Sequence, residues 1–281
     1  MSVEVRPDVT RSPVRGLAGG VRALAAVAWL CGALVVLAQI VYSMTEPDDR
    51  IFTTVASVIA FAVASVCDAL ARFGPRAAVL LVVVAGGGGL LAETIGVHTG
   101  FPFGDYRYTG SLGLELAGVP AVVPLAWVMM CWPALLVGRS LTGWSRGDRP
   151  MWPVVAVGAW ALASWDVFLD PQMVDAGHWV WSSPAPALPG VDGVPLTNYA
   201  GWVLVSVVMM TVLQRGVGRP RVTRELDLRV GPAPVLYLWT YGSSVWAHAA
   251  FFGRPAVSVV AGLLMGLVAI PFAVAVWRAH R

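Results

Sequence analysis

The apolar positions of this chain fall into eight long runs, at about 21–42, 51–71, 77–97, 120–138, 152–169, 196–214, 234–251 and 256–277. A helix needs about 20 apolar residues to cross the hydrocarbon core of a bilayer, and most of the runs come close. The runs over 152–169 and 196–214 are the weakest, because they are short or polar at one end. The pattern predicts an all-α fold: a polytopic membrane helix bundle of about eight transmembrane helices, with seven as the alternative count. Residues 1–20 are polar and contain proline, and they read as a flexible cytoplasmic arm. Residues 21–281 read as a single transmembrane helical domain. The first run is long enough to remain in the membrane, so no cleaved signal is expected.

Composition sharpens this picture. Of 281 residues, 57% are hydrophobic and 12% charged, with mean hydropathy +0.72. A soluble domain carries roughly twice that charged fraction. The basic residues set the orientation. All nineteen are arginine. With eight spans and an inside N-terminus, sixteen lie inside: Arg6, Arg11, Arg15 and Arg22; Arg72 and Arg76; Arg139, Arg146 and Arg149; Arg215, Arg219, Arg221, Arg224 and Arg229; Arg278 and Arg281. Only Arg50, Arg107 and Arg254 lie outside. Such an asymmetry follows the positive-inside rule. The expected location is the cytoplasmic membrane, as a multi-pass protein. The net charge of +3 thus reports orientation, and nothing in it suggests nucleic acid.

The two longest outside connections, 98–119 and 171–195, are rich in Gly, Pro and aromatic residues, whereas the inside loops are short and arginine-rich. Long loops in a compact protein tend to carry function. Gly86 to Gly89, four consecutive glycines in the third run, would let a neighbouring helix approach closely. Cys31, Cys67 and Cys131 fall in different runs without partner spacing and read as small packing residues.

Polar groups that a membrane makes expensive collect at one end of the runs. The third run ends in Glu93-Thr-Ile-Gly-Val-His98 and continues through Asp105, Tyr106 and Tyr108. The fifth ends in Ser164-Trp165-Asp166 and Asp170-Pro171. Asn198 and Tyr199 open the sixth, and His248 closes the seventh, with Tyr241 about two turns deeper; His178 and Trp179 lie in the second long loop. Under the topology above all of these reach the outer leaflet, and Asp68 is the exception. Asp166 and Asp170 are four residues apart and share a helix face. Two anions that close repel, so a proton shared between them suits general acid catalysis. The plainer alternatives are a loop cap for Asp170 and an ion pair with Arg107 for Glu93. His98, His178 and His248 lack metal-ligand spacing, so polar or proton-relay roles are expected and no metal. Trp165, Trp179 and Trp181 lie near the carboxylates and could line a cation-stabilising pocket; most other tryptophans read as interface-belt residues.

At these residues the chain resembles the integral-membrane carotenoid biosynthesis proteins, the family that includes carotenoid 1,2-hydratases. The resemblance rests on Glu93-Thr-Ile-Gly-Val-His-Thr-Gly100, Phe103-Gly-Asp-Tyr-Arg-Tyr-Thr109, Pro120 with Pro124 and Trp127, Ser164 to Met173, and Pro195 to Trp202. It covers roughly residues 30–275. It implies addition of water across the terminal double bond of an acyclic carotenoid end group, giving a tertiary alcohol with no redox cofactor. The implied partners are the acyclic carotenoid, water and the lipid bilayer, with association with other carotenoid biosynthesis enzymes left open.

The residues themselves suit that chemistry. Protonation of a trisubstituted alkene leaves a tertiary cation, which water captures. On this reading Asp166 and Asp170 supply the acid while Glu93 or His98 orients water, and exchanging these roles is an equal alternative. Asp105, Tyr106, Tyr108, Trp165, Trp179, Asn198, Tyr199 and His248 would shape the substrate pocket. Two readings compete. An intramembrane prenyltransferase or other isoprenoid-modifying enzyme would use Asp166-x-x-x-Asp170 for diphosphate and magnesium, but it needs a second acidic motif and basic residues that the outer face lacks. A non-enzymatic carotenoid or lipid binder or transporter would more often place its polar groups near mid-membrane.

Overall fold

A computed structural model describes residues 19–46, 50–143, 151–221 and 226–281. Most of the arm expected over 1–20 lies outside the described residues, as do Arg6, Arg11, Arg15, Arg146, Arg149 and Arg224. The described chain forms eight helices: α1 (Gly19–Met44), α2 (Arg50–Phe73), α3 (Pro75–Thr99), α4 (Val122–Thr142), α5 (Met151–Asp175), α6 (Leu196–Gly216), α7 (Ala233–Ala250) and α8 (Pro255–Ala279). Six short strands sit in the connections: β1 (Tyr106–Tyr108), β2 (Glu115–Leu116), β3 (Val119–Pro120), β4 (Trp179–Trp181), β5 (Ala187–Leu188) and β6 (Val191–Pro195). They pair as three antiparallel two-stranded ribbons, β1 with β4, β2 with β3 and β5 with β6.

Seven of these helices, all but α7, are long and apolar enough to cross a membrane, and the chain is a multi-pass membrane protein. The compositionally weak helix is therefore α7 and not the runs at 152–169 or 196–214. Its 18 residues include Thr240, Tyr241, Gly242, Ser243, Ser244 and His248. Even so, at 1.5 Å per residue α7 is about 27 Å long, close to the hydrocarbon thickness. Its first amide, on Ala233, donates to Asp68 at the end of the bundle where most of the described arginines lie. Just past its last residue, Arg254 pairs with Asp175 at the opposite end. So α7 runs from end to end like its neighbours.

At the extremes of the bundle, the most apolar helices are lightly buried and the two most buried helices are among the least apolar. The most apolar segments of α1 and α8 have mean hydropathies of 2.4 and 2.6 and are only 22% and 33% buried. Those of α4 and α5 have 1.6 and 1.4 and are 83% and 67% buried. Helices on the outside must present apolar groups to lipid, whereas helices in the centre can carry polar groups that partner one another. The two central helices hold Trp127 and the aspartate pair, which brings the site chemistry inside the protein.

The arginine-rich end is tied by two buried guanidinium groups. Arg72 bonds Asp68 through Nε at 2.5 Å and Nη2 at 3.1 Å, and also donates to the Gly231 carbonyl at 3.0 Å. Asp68 accepts from Trp132 at 2.9 Å and from the Ala233 amide, so its charge sits at the N-terminus of α7. Asp68, the carboxylate that the sequence sets apart from the others, is thus the centre of a structural clamp. Arg139 likewise binds Gln214 and the carbonyls of Val217 and Gly218 where α6 ends.

Candidate active site

Glu93 reaches the interior through the way α3 is built. The helix is α-helical to Leu81, π-helical over Val82–Gly87, and α-helical again to Thr99. A π-helical stretch shifts the rotational register of everything beyond it, and such stretches often accompany functional sites. The expected close approach at the glycines is present. A Cβ at Gly89 would lie 2.6 Å from Cδ1 of Trp127, so the bare glycine lets that indole lie flat against α3. One turn further on, Glu93 Oε1 accepts from Trp127 Nε1 at 3.1 Å. Its Oε2 accepts from the hydroxyls of Tyr106 at 2.5 Å and Tyr108 at 2.9 Å. The ion pair with Arg107 does not form, since that side chain is exposed.

The same three residues show why. In β1 the side chains alternate, so Tyr106 and Tyr108 face inward and Arg107 outward. Strand β4 completes the arrangement, with Tyr106 opposite Trp181 and Tyr108 opposite Trp179. Tyr106 stacks on Trp181 with centroids 5.6 Å apart, and Tyr108 meets Trp179 edge-on at 5.6 Å. The two long loops are therefore zipped into one aromatic cover over the bundle. Burial, then the charge of Glu93, holds both phenols well above their ordinary pKa, so they remain neutral donors.

Helix α5 continues through Pro171 to Asp175, past the end expected for it, and this keeps both aspartates on a regular helical face. Asp166 and Asp170 are brought close by one shared donor, the side-chain amide of Asn198. Asn198 Nδ2 donates to Oδ2 of Asp166 at 2.8 Å and to Oδ2 of Asp170. Trp179 Nε1 donates to the other oxygen of Asp170 at 3.2 Å. Asp166 Oδ1 is buried with no partner among the described residues.

Glu93, Asp170 and Asn198 line one cavity of about 90 Å³. Its remaining wall is apolar and aromatic, with Phe103, Tyr106, Tyr108, Trp127, Trp165, Trp179, Trp181 and Trp202. Trp127 and Trp202 stack with centroids 4.0 Å apart, and Trp165 meets Trp202 edge-on at 6.0 Å. Asp166 is fully buried behind Asp170 and is not part of the wall.

The other sequence candidates lie outside this cavity. His98 is exposed and bonds the Thr94 carbonyl of its own helix at 2.8 Å. Five residues separate it from Glu93, which places it roughly 140° around the helix. Asp105 is exposed, and its carbonyl accepts the Ser182 amide. His248 is buried and bonds the Phe168 carbonyl at 3.1 Å, fastening α7 to α5. Tyr199, one residue from Asn198, leaves the lining but keeps a buried hydroxyl with no partner among the described residues. His178 bonds Ser111 at 2.7 Å and so ties the two loops together. Trp127 and Trp202 are the residues the site gains beyond the sequence candidates, while Trp165, Trp179 and Trp181 all line the cavity. Trp202 is four residues from Asn198, so helical spacing could have found it. Nothing in the spacing links Trp127 to Glu93.

Among the described residues no group of three or more His, Cys, Asp and Glu side chains could hold a metal ion. Phenol, indole and amide groups direct their hydrogens at both oxygens of Glu93, both of Asp170 and one of Asp166.

A family described as carotenoid biosynthesis protein matches residues 51–269. The chain belongs to that family. All of Glu93, Tyr106, Tyr108, Trp127, Asp166, Asp170 and Asn198 lie within the matched region. A bisanhydrobacterioruberin hydratase of Haloarcula japonica is 31% identical over 135 residues, which cover 48% of this chain and 44% of that relative. The match thus spans less than half the relative's length. No solved structure matches the chain.

Proposed function

We propose that this protein is a carotenoid hydratase, adding water across the terminal double bond of an acyclic carotenoid end group without a cofactor. The observation that carries the reading is the pair of carboxyl clusters facing one small aromatic cavity. The two clusters differ in what they can do. Two carboxyl groups that share one amide nitrogen repel as anions, which favours a proton held between Asp166 and Asp170 that can be given away. Glu93 accepts three hydrogen bonds and donates none, so it is equipped to receive one.

In the proposed reaction Asp170, the member that meets the cavity, donates its proton to the less substituted carbon of the terminal alkene. The carbon bearing two methyl groups becomes a tertiary cation. The faces of Trp127, Trp165 and Trp202 carry negative quadrupole charge and stabilise it. A water oxygen bonds to that carbon and loses its second proton to Glu93. Return of that proton through solvent, and refilling of the aspartate pair, restores the enzyme. The sum is alkene plus water giving a tertiary alcohol, with no change in oxidation state overall.

The similarity to the Haloarcula hydratase and membership of the carotenoid family support the substrate class. The location proposed is the cytoplasmic membrane. Expression in cells that make an acyclic carotenoid, followed by mass analysis, tests the proposal. The expected product is heavier by one water per reacted end, takes its oxygen from labelled water, and carries solvent deuterium beside the new alcohol. Oxygen derived from O₂, a five-carbon gain or unmodified pigment would each refute it.

A further inference from the structure

A second cavity adjoins the first. It has a volume of about 580 Å³ and lies between α1, α2, α5 and α7, at the same end of the bundle as the carboxylates. Thr54, Val58, Met129, Trp165, Leu169 and Met173 line both spaces, so one wall of side chains is all that separates them. Along α7 the groove is lined by Trp239, Gly242, Ser243 and Trp246. Its rim carries Ile40, Met44 and Trp246, exposed by 46%, 80% and 66% respectively. Exposed apolar side chains on membrane helices face lipid, so the groove opens sideways into the bilayer.

Resting on the hydratase reading, we infer that this groove holds the long polyene body of the substrate, threading it from the bilayer so that only its end group reaches Asp170 and Glu93. Size is the first argument. A cavity of 90 Å³ has room for a few water-sized groups, which suits an end group and a water molecule but no long chain. Continuity is the second. The shared wall includes Trp165, whose ring also meets Trp202 beside the carboxylates, and flexible Met129 and Met173. Methionines adapt to shape and can yield as a chain passes. The lateral opening is the third, because a water-insoluble substrate reaches a membrane enzyme from lipid. Gln39 has a different part: it accepts from Trp239 at 2.8 Å and donates to Ser57 at 3.4 Å, bracing α1, α2 and α7 along the groove.

Gly242 offers the test, since a Cβ there would meet nothing within 4 Å. Gly242→Trp therefore adds a bulky ring at the groove wall from a position whose Cβ meets no neighbour. The full chain, in membranes, is assayed on an acyclic carotenoid and on 2,6-dimethyl-2,6-octadiene, which carries the same end group on a short chain. The expected result is a loss of about tenfold or more in hydration of the carotenoid, with the short diene hydrated as by the unsubstituted protein. Unchanged carotenoid hydration would overturn the inference. So would equal loss on both substrates in both Gly242→Trp and Ser243→Phe, since filling would then be acting on the carboxylates. A membrane phospholipid that stays bound in the groove when carotenoid is added would also overturn it. Failure of the unsubstituted protein to hydrate either substrate would sink the hydratase reading with it, whereas hydration by both proteins alike sinks the groove alone.

Discussion

Asp166 and Asp170 stand one helical turn apart, and that turn decides which of them meets the cavity. The sequence makes them equal partners in an acid pair. The structure places Asp170 in the wall and Asp166 behind it, both held by Asn198. Asp170→Asn should therefore lower hydration by ~10²–10⁴-fold, the usual loss for a positioned general acid. Asp166→Asn removes the proton partner and not the donor, and should cost less. Both variants should insert and fold, because the amide keeps the shape of the acid. Rates of pigment hydration for the two variants, side by side, check this, and the reverse ranking would move the donor to Asp166. Trp127 gives a second residue-level prediction. Trp127→Phe keeps an aromatic face but removes the hydrogen bond to Glu93, and a hydrogen bond to a charged group is worth about 1.5–3 kcal/mol. If Glu93 takes the water's proton, kcat should fall by roughly 10- to 150-fold while KM changes little. A loss confined to KM would make the indole a binding group only.

At the scale of elements, two glycines two residues apart in α3 should behave differently. Gly89 lies against Trp127, whereas a Cβ on Gly87 would meet nothing within 4 Å. Gly89→Val must push the indole away, and overpacking of this kind costs about 1–3 kcal/mol. Gly87→Ala should be neutral or stabilise the helix by up to about 1 kcal/mol. Thermal unfolding in detergent, with hydration measured alongside, separates the two; equal effects would mean that the close approach of α3 and α4 does not matter. The loop cover has its own sensitivity. Burial holds the His178 imidazole below its ordinary pKa while it bonds Ser111. A histidine shifted this way binds fewer protons folded than unfolded, so it costs nothing at neutral pH and opposes the closed loops as pH falls through the ordinary imidazole range. Protection from hydrogen exchange over residues 109–111 and 178–182, corrected for the intrinsic slowing of amide exchange in acid, should fall in mild acid, and His178→Gln should remove most of that pH dependence. Of these elements, the eight helices were legible because apolar runs of membrane length have few other uses. The strand pairing of β1 with β4 was not, since each strand is three residues long and its partner lies some 70 residues away.

At the scale of the whole molecule, the two ends are chemically distinct. Among the described residues, Arg22, Arg72, Arg76, Arg139, Arg215, Arg219, Arg221, Arg229, Arg278 and Arg281 belong to the end opposite the carboxylates. Arg50, Arg107 and Arg254 belong to the carboxylate end. By the positive-inside rule we propose that the first end faces the cytoplasm and the candidate cavity the outer side. Cysteines introduced at Glu115 and Ser183, both exposed, should react with an impermeant reagent added to intact spheroplasts, and one at Arg219 only after lysis. Labelling in the opposite sense would invert the topology and place the cavity at the cytoplasmic face.

The sequence by itself determined the number and rough extent of the helices, the asymmetry of charge between the two ends and the collection of carboxylates at one of them. Each of these depends on local composition measured against a fixed external length, the thickness of a bilayer. It also carried the family resemblance, which the match over residues 51–269 bears out. Tertiary structure alone decided which polar groups meet. The shift of register through Val82–Gly87, the continuation of α5 past Pro171 and the zipping of two distant loops set the direction of each side chain. Those directions brought Trp127, Tyr106 and Tyr108 to Glu93, turned His98 outward, and put Asp170 in front of Asp166. A side chain's direction is an angle about a helix or strand axis, and neighbouring elements fix it by what they let it touch; composition along the chain holds no record of that angle.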